Sequence, residues 1–235
     1  MNFRLNKSKV LRNLFIITGI LLIGNLFAVY LRLNSNGMES KVSRLIIKLF
    51  DFNLEANLPT YFSSLILLCD GILLALIGSR YKALGENFSH WLGLSAIFVF
   101  LALDEMMQIH EQFRAPMEAL FNTTGIFYYA WFIPYVAVTI IIAIAYFKFM
   151  MRLPKTILKL FVLAGVVYIS GAVVMEAISG MHSEVHGDET LTYALMYSFE
   201  ELLEMSGALV FMYALLSYIE LKFKTLKVTF SAEEA

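Results

Sequence analysis

At 235 residues, 59% hydrophobic and only 16% charged, with a mean hydropathy of +0.71, the chain is too apolar and too poor in charge for an ordinary water-soluble domain. A net charge of −1, with no basic run interleaved with aromatics, excludes nucleic acid as a partner. Cys69 is the single cysteine, so neither an internal disulfide nor a cysteine-based zinc motif can form, and any metal has to be held by oxygen and imidazole.

Crossing about 30 Å of hydrocarbon takes roughly 20 apolar residues. Six runs qualify, at about 14–31, 61–79, 91–111, 126–150, 157–179 and 193–219. They predict an all-α, polytopic integral membrane bundle of six transmembrane helices, a single transmembrane domain over 1–235 with no room for a soluble domain between spans. The first run follows Arg4, Lys7, Lys9 and Arg12. Its apolar stretch is longer than a secretory signal core, and AVYLRLNSNG offers no small-x-small cleavage site, so it is expected to stay as the first helix. Over 38–50, Val42, Leu45, Ile46 and Leu49 share one helical face, with Lys41, Arg44 and Lys48 elsewhere; this fits a helix in the membrane interface or an amphipathic cap on the bundle. Pro59 and Pro154 stand just ahead of spans two and five, where a missing N–H costs nothing. Pro134 falls inside the predicted span four, behind Phe127, Tyr128, Tyr129, Trp131 and Phe132. A kink is expected there, with the aromatics as an interfacial belt.

The basic residues set the orientation. On one side stand Arg4, Lys7, Lys9 and Arg12, then Arg80 and Lys82, then Lys148, Arg152, Lys155 and Lys159, then Lys222, Lys224 and Lys227; the other side has Arg32, Lys41, Arg44, Lys48 and Arg114. The excess predicts both termini in the cytoplasm. The connection GMHSEVHGDET, which has no Lys or Arg, then faces outward.

One stretch is out of keeping with a spanning helix. LALDEMMQIHEQF, residues 101–113, puts Asp104, Glu105, His110 and Glu111 at the end of span three, where lone ionisable groups cost several kcal/mol. In the predicted orientation, Glu176 of span five and Glu200, Glu201 and Glu204 of span six reach the same outer half. At about 1.5 Å per residue, Asp104 lies about 10 Å below Glu111, and Glu200 and Glu204 lie about 12 and 18 Å below the end of span six. Asp104, Gln108 and Glu111 share one helical stripe, and Glu200, Glu201 and Glu204 another; His110 points about 100° away from the first stripe unless the helix end is irregular. Small residues at Ser170, Gly171 and Ala172 and at Ser206, Gly207 and Ala208 let the helices approach closely.

So many acids in low dielectric cannot all ionise. They are protonated, face water, or surround a cation. Carboxylates with imidazole suit iron, manganese or zinc, and the expected ligands of such a divalent metal are Asp104, His110, Glu111, Glu176, Glu200 and Glu204, with Glu105 and Glu201 as catalytic proton carriers. The paired Glu-x-x-His spacing of helical di-iron proteins is absent. His182 and His186 could share a helical turn and bind zinc, or sit in a solvated acidic loop. Asp70 in span two is expected to join a hydrogen-bond network.

LDE-x4-HE in span three, an isolated Glu in span five, FEELLEMSG in span six and NLPTYFSSLILL at the start of span two together resemble a family of small, uncharacterised bacterial multi-pass membrane proteins. The resemblance covers most of 57–210 and brings no established activity. A looser similarity is to intramembrane metal-dependent hydrolases of the ceramidase and receptor-like type, where His182, His186, Asp104 and Ser95 would take the family's parts; the surplus of acids and the loop position of the His pair do not match, and its roles are not carried over. The function expected is a metal-dependent hydrolase or oxidase acting on a lipid-like substrate, membrane lipid being the partner. The alternatives are a proton- or cation-coupled transporter or channel subunit, and a structural or sensory membrane module.

Overall fold

A computed structural model describes residues 6–35, 40–121, 123–129 and 132–224. Met38 and Glu39 of the predicted 38–50 helix, Trp131 of the aromatic group, and Arg4 and Lys227 of the basic residues lie outside them. The described chain is all helical: α1 (Lys7–Asn34), α2 (Lys41–Phe50), α3 (Leu58–Ala83), α4 (Ser89–Met107), α5 (Arg114–Phe121), α6 (Phe132–Met150), α7 (Lys155–Ile169), α8 (Glu176–His186) and α9 (Leu191–Phe223). Six helices are long and apolar enough to cross a membrane, with α7 and α8 forming one of them through a π-helical segment at Ser170–Met175.

Polar caps define the helix starts. Asn6, Ser40, Asn57 and Thr190 each accept the backbone N–H three residues on, satisfying a donor that has no partner within the helix. Pro59 lies in the first turn of α3, as expected. Pro134 is different: α6 begins at Phe132 rather than near 126, which puts the proline in the first turn, where its ring and missing N–H are tolerated. The expected kink has no cause there.

α9 is the central helix. It packs on α1, α3, α7 and the π segment, and half of its apolar window is buried. Glycines set these approaches. A Cβ at Gly207 would lie 2.7 Å from the Tyr168 backbone nitrogen, and one at Gly171 2.7 Å from the Glu200 carbonyl oxygen. Gly207→Leu is therefore expected to force α7 from α9 and cost about 1–3 kcal/mol, seen as a lower thermal midpoint in detergent. Gly19→Leu, where nothing lies within 4 Å of the new Cβ, should leave that midpoint unchanged.

α3 and α4 form a second close pair, tied by the Ser64 hydroxyl donating to the Ala102 carbonyl and the Ser95 hydroxyl donating to that of Gly71, both at 2.7 Å. Ser95 is thereby a packing group. α2 lies against α1: its Phe50 ring fills the space above Gly24 and Ile47 is buried, while Val42 and Leu45 are 66% and 56% exposed. The amphipathic face predicted for 38–50 is thus partly spent on packing and partly open.

Candidate metal site at the loop end of the bundle

Two short loops and the end of α4 make the site. α4 stops at Met107 rather than at 111, because Gln108 takes a left-handed conformation with φ 57°. The reversal brings His110 back over the helix it has just left. The His110 backbone N–H donates to Asp104 Oδ1 at 2.9 Å, and its ring Nδ1 lies 3.3 Å from Asp104 Oδ2. Tyr135 of α6 donates its hydroxyl to the same Asp104 at 2.8 Å. The helix end is irregular, and that irregularity turns the ring, whose ideal phase points away, toward the stripe.

The other nitrogen of the ring, Nε2, lies 3.6 Å from Glu55 Oε1. Glu55, His110 and Glu111 each offer one ligand atom, and these atoms lie within 4.8 Å of one another. Burial alone would lower the pKa of the His110 ring, but the hydrogen-bonded Asp104 and Glu55 carboxylates outweigh it and raise the pKa to about 11. With that proton aboard, the ring is a cation among acids; a metal would have to replace the proton.

Glu55 comes from the loop 51–57, which an inner network holds rigid. Asn57 Nδ2 donates to the carbonyls of Asp51 and Leu54 at 2.8 and 2.5 Å. The Asn25 side chain accepts the Phe52 N–H at 2.8 Å and donates to Ser198 at 2.7 Å. Asp51, with no exposed surface, accepts hydrogen bonds from Tyr197 at 2.8 Å and the Asn53 N–H at 3.0 Å. Arg32 Nε faces it at 3.3 Å as an ion pair outside hydrogen-bond alignment. Ala56, with φ 55°, gives the loop its sharp turn immediately after Glu55.

Inward from the three donors runs a row of carboxyl groups on the wall of a cavity of about 1260 Å³. Glu105 neighbours Glu55, Asp104 and His110 and accepts a hydrogen bond from Ser63. Glu201 neighbours Glu105 and Glu204. Glu204 accepts a hydrogen bond from Tyr168. Glu200 is hydrogen-bonded to Glu176, which needs a proton between the two carboxyls, and Ser179 donates to Glu200 at 3.4 Å. The π segment directly precedes Glu176 and packs on α9; such insertions re-aim a helix face.

Of the six ligands expected from the sequence, the structure puts His110 and Glu111 in one group with Glu55. Asp104 stands behind the His110 ring, and Glu176, Glu200 and Glu204 lie further along the cavity wall. Among the described residues the three-donor group contains none of these four. Glu105 and Glu201, expected as proton carriers, lie between the two sets. Reading the sequence missed Glu55. The available signal was the pattern DFNLEANLP, with Asp51, Asn53 and Asn57 around it, the composition of a hydrogen-bonded turn ahead of a helix. His182 and His186 fall on the last turns of α8 rather than in a loop. Their rings stack with centroids 4.6 Å apart, and His182 Nε2 lies 3.0 Å from Thr190 Oγ1. Asp70 has no exposed surface, and neither of its carboxyl oxygens has a hydrogen-bond partner among the described residues, so the network expected around it is not seen there.

The domain family described as Domain of unknown function (DUF8692) matches residues 14–219. The chain belongs to this family. The match begins within α1 and ends within α9, and so takes in four of the six long helices whole, most of the other two, and the residues of the three-donor group. No curated protein and no solved structure matches the chain.

Proposed function

We propose that the chain is a membrane-embedded metal protein in which His110, Glu55 and Glu111 hold a divalent iron, manganese or zinc ion, and that it is a hydrolase or oxidase acting on a lipid-like substrate. The observation that carries this reading is the setting of one ring. Asp104 takes Nδ1, so Nε2 is turned to Glu55, and the three donors converge within 4.8 Å. A carboxylate on the far nitrogen is the common backing of a metal-bound imidazole, and a mixed oxygen and nitrogen set suits these metals.

Three protein ligands leave positions for water or substrate. A metal held there supplies Lewis acidity toward a bound oxygen. The chain's own share is proton handling. Glu105 sits beside the ligands, and Glu201 and Glu204 continue to the hydrogen-bonded Glu200 and Glu176, a row of carboxyls along which a proton can pass. In this reading Glu176, Glu200 and Glu204 belong to the relay rather than to the ligand set. The excess of basic residues on one side supports a site opening to the outside of a bacterial inner membrane, with both termini in the cytoplasm. A cation-coupled transporter would need polar groups through the far half as well. There the cavity wall is Leu94, Ile97, Phe98, Ile142, Phe161 and Phe211, which favours the enzyme.

Elemental analysis of detergent-purified, metal-loaded protein is expected to give about one equivalent in the wild type and under about a tenth in His110→Ala and Glu55→Ala. A wild type holding under about a tenth rejects the metal.

A further inference from the structure

The cavity is larger than a metal and its water require. Its roughly 1260 Å³ exceeds the few hundred to about 1,000 Å³ of ordinary small-molecule sites. Its lining runs along α4 from Gln108 to Leu94, along α6 from Tyr135 to Met150, and from Glu176 of α8 to Phe161 of α7. At about 1.5 Å of rise per residue, each of these paths is about 21–23 Å long. One leaflet of hydrocarbon is about 15 Å deep, half of a core of about 30 Å. Three helices give the same depth, and it exceeds a fully extended chain of leaflet length.

The two ends of this space differ chemically. Glu55, Asp104, Glu105, Glu111, Glu200 and Glu201 are among the acids at one end, and no Lys or Arg lines the cavity among the described residues. The other end is walled by aliphatic and aromatic side chains. Gly165 lies on this apolar stretch, and a Cβ there would meet nothing within 4 Å. α6 makes little backbone contact with the rest of the bundle, unlike the close α3–α4 and α7–α9 pairs. Phe100, Val138 and Ile169 line the cavity yet are 47%, 53% and 40% exposed. That combination marks a side opening along α6, below the carboxylates, facing what would be the bilayer.

We propose that this cavity takes one long hydrocarbon chain of a lipid, admitted sideways past α6, whose polar end bears no negative charge and comes to rest at the carboxylates beside Glu55 and His110. The chain site stands on the shape and lining of the cavity; only what is done to the polar end rests on the metal reading above. Charge decides the polar end: among the described residues nine acids line the cavity there and no Lys or Arg does, more negative charge than the His110 ring and one divalent ion can balance, so a carboxylate or phosphate would add to an excess of like charge. Like charges brought together in a recess disfavour binding far more than an uncharged hydroxyl does.

The test uses the full chain in phosphatidylcholine nanodiscs with a saturated alcohol of about sixteen carbons that carries a photoreactive diazirine in mid-chain. After irradiation, cross-links mapped by mass spectrometry are expected on inward residues such as Phe98, Ile142 and Phe161. Gly165→Trp and Thr139→Trp, which fill the cavity from α7 and from α6, should each cut that labelling about tenfold. Excess unlabelled alcohol should remove it without any substitution, and the fatty acid of equal length, ionised, should label at least about fivefold less. Labelling confined to outward residues such as Ile141 and Ile144, labelling indifferent to both tryptophans and to competitor, or acid labelling equal to alcohol overturns the proposal. Metal content read on the same samples separates the two claims. Bound metal with no inward label overturns the chain site alone, whereas inward label on a wild type that holds no metal supports the chain site and removes the metal reading.

Discussion

Asp104→Asn is expected to lower metal affinity by about 10- to 100-fold while the protein stays folded. The carboxylate touches no metal in the arrangement proposed. It accepts from the His110 backbone N–H, from Tyr135 and from the ring Nδ1, and so fixes which nitrogen of the ring faces Glu55. The amide can offer an N–H where the ring needs an acceptor, which favours the wrong tautomer and turns the ring. Isothermal titration with zinc, read beside far-ultraviolet circular dichroism, checks both halves of the expectation. Unchanged affinity would mean that Asp104 shapes the loop only. Tyr135→Phe removes one of the three bonds to the carboxylate and should show a smaller loss in the same direction.

Arg32→Met is expected to cost about 3–5 kcal/mol of stability, because it leaves Asp51 buried and charged without its cation. The side chain of Asp51 is 0% exposed and that of Arg32 14%, so neither has bulk water to fall back on. At a few degrees per kcal/mol, the thermal midpoint in detergent should fall by about 10 °C. Asp51→Asn placed on top should recover part of the loss, since the charge that needed compensation is gone. A fall under about 1 °C would show that Tyr197 and the backbone alone hold the loop. Arg32 lies among the basic residues that count toward orientation, yet its contacts make it an internal strut for the turn that carries Glu55.

The six spans are legible because bilayer thickness fixes how long an apolar run must be, and the cores of α1, α3, α7 and α9 fall where the runs do. The pairing of Glu176 with Glu200 is legible too, from depth along α7–α8 and α9 and from the small residues that flank both. Helix ends were harder. Span three reads as helix to 111 because nothing in MMQIHEQF forbids it, and the left-handed turn at Gln108 is fixed by the Asp104 side chain, which accepts the His110 N–H, and by Tyr135 of α6, which donates to the same carboxylate. Glu55 was out of reach for a related reason. Its position depends on Asn25, Arg32, Ser198 and Tyr197, which meet one another and the loop across separations of up to 173 residues. No local pattern reports such a contact. The π segment at Ser170–Met175 likewise reads as plain helix until α9 is set against it.

Ala56 and Gln108, the left-handed residues beside Glu55 and His110, each hold a backbone conformation that costs an L-residue on the order of 1–2 kcal/mol relative to glycine. The donors are thus carried by two bent segments that connect helices rather than by the long helices themselves. The two segments differ in how they can move: 51–57 is pinned to α1 and α9 through Asn25, Arg32 and Tyr197, whereas 108–113 is held by Asp104 and Tyr135, so the second can open locally while every span stays packed, and an ion bound between them would act as a clasp of the second on the first.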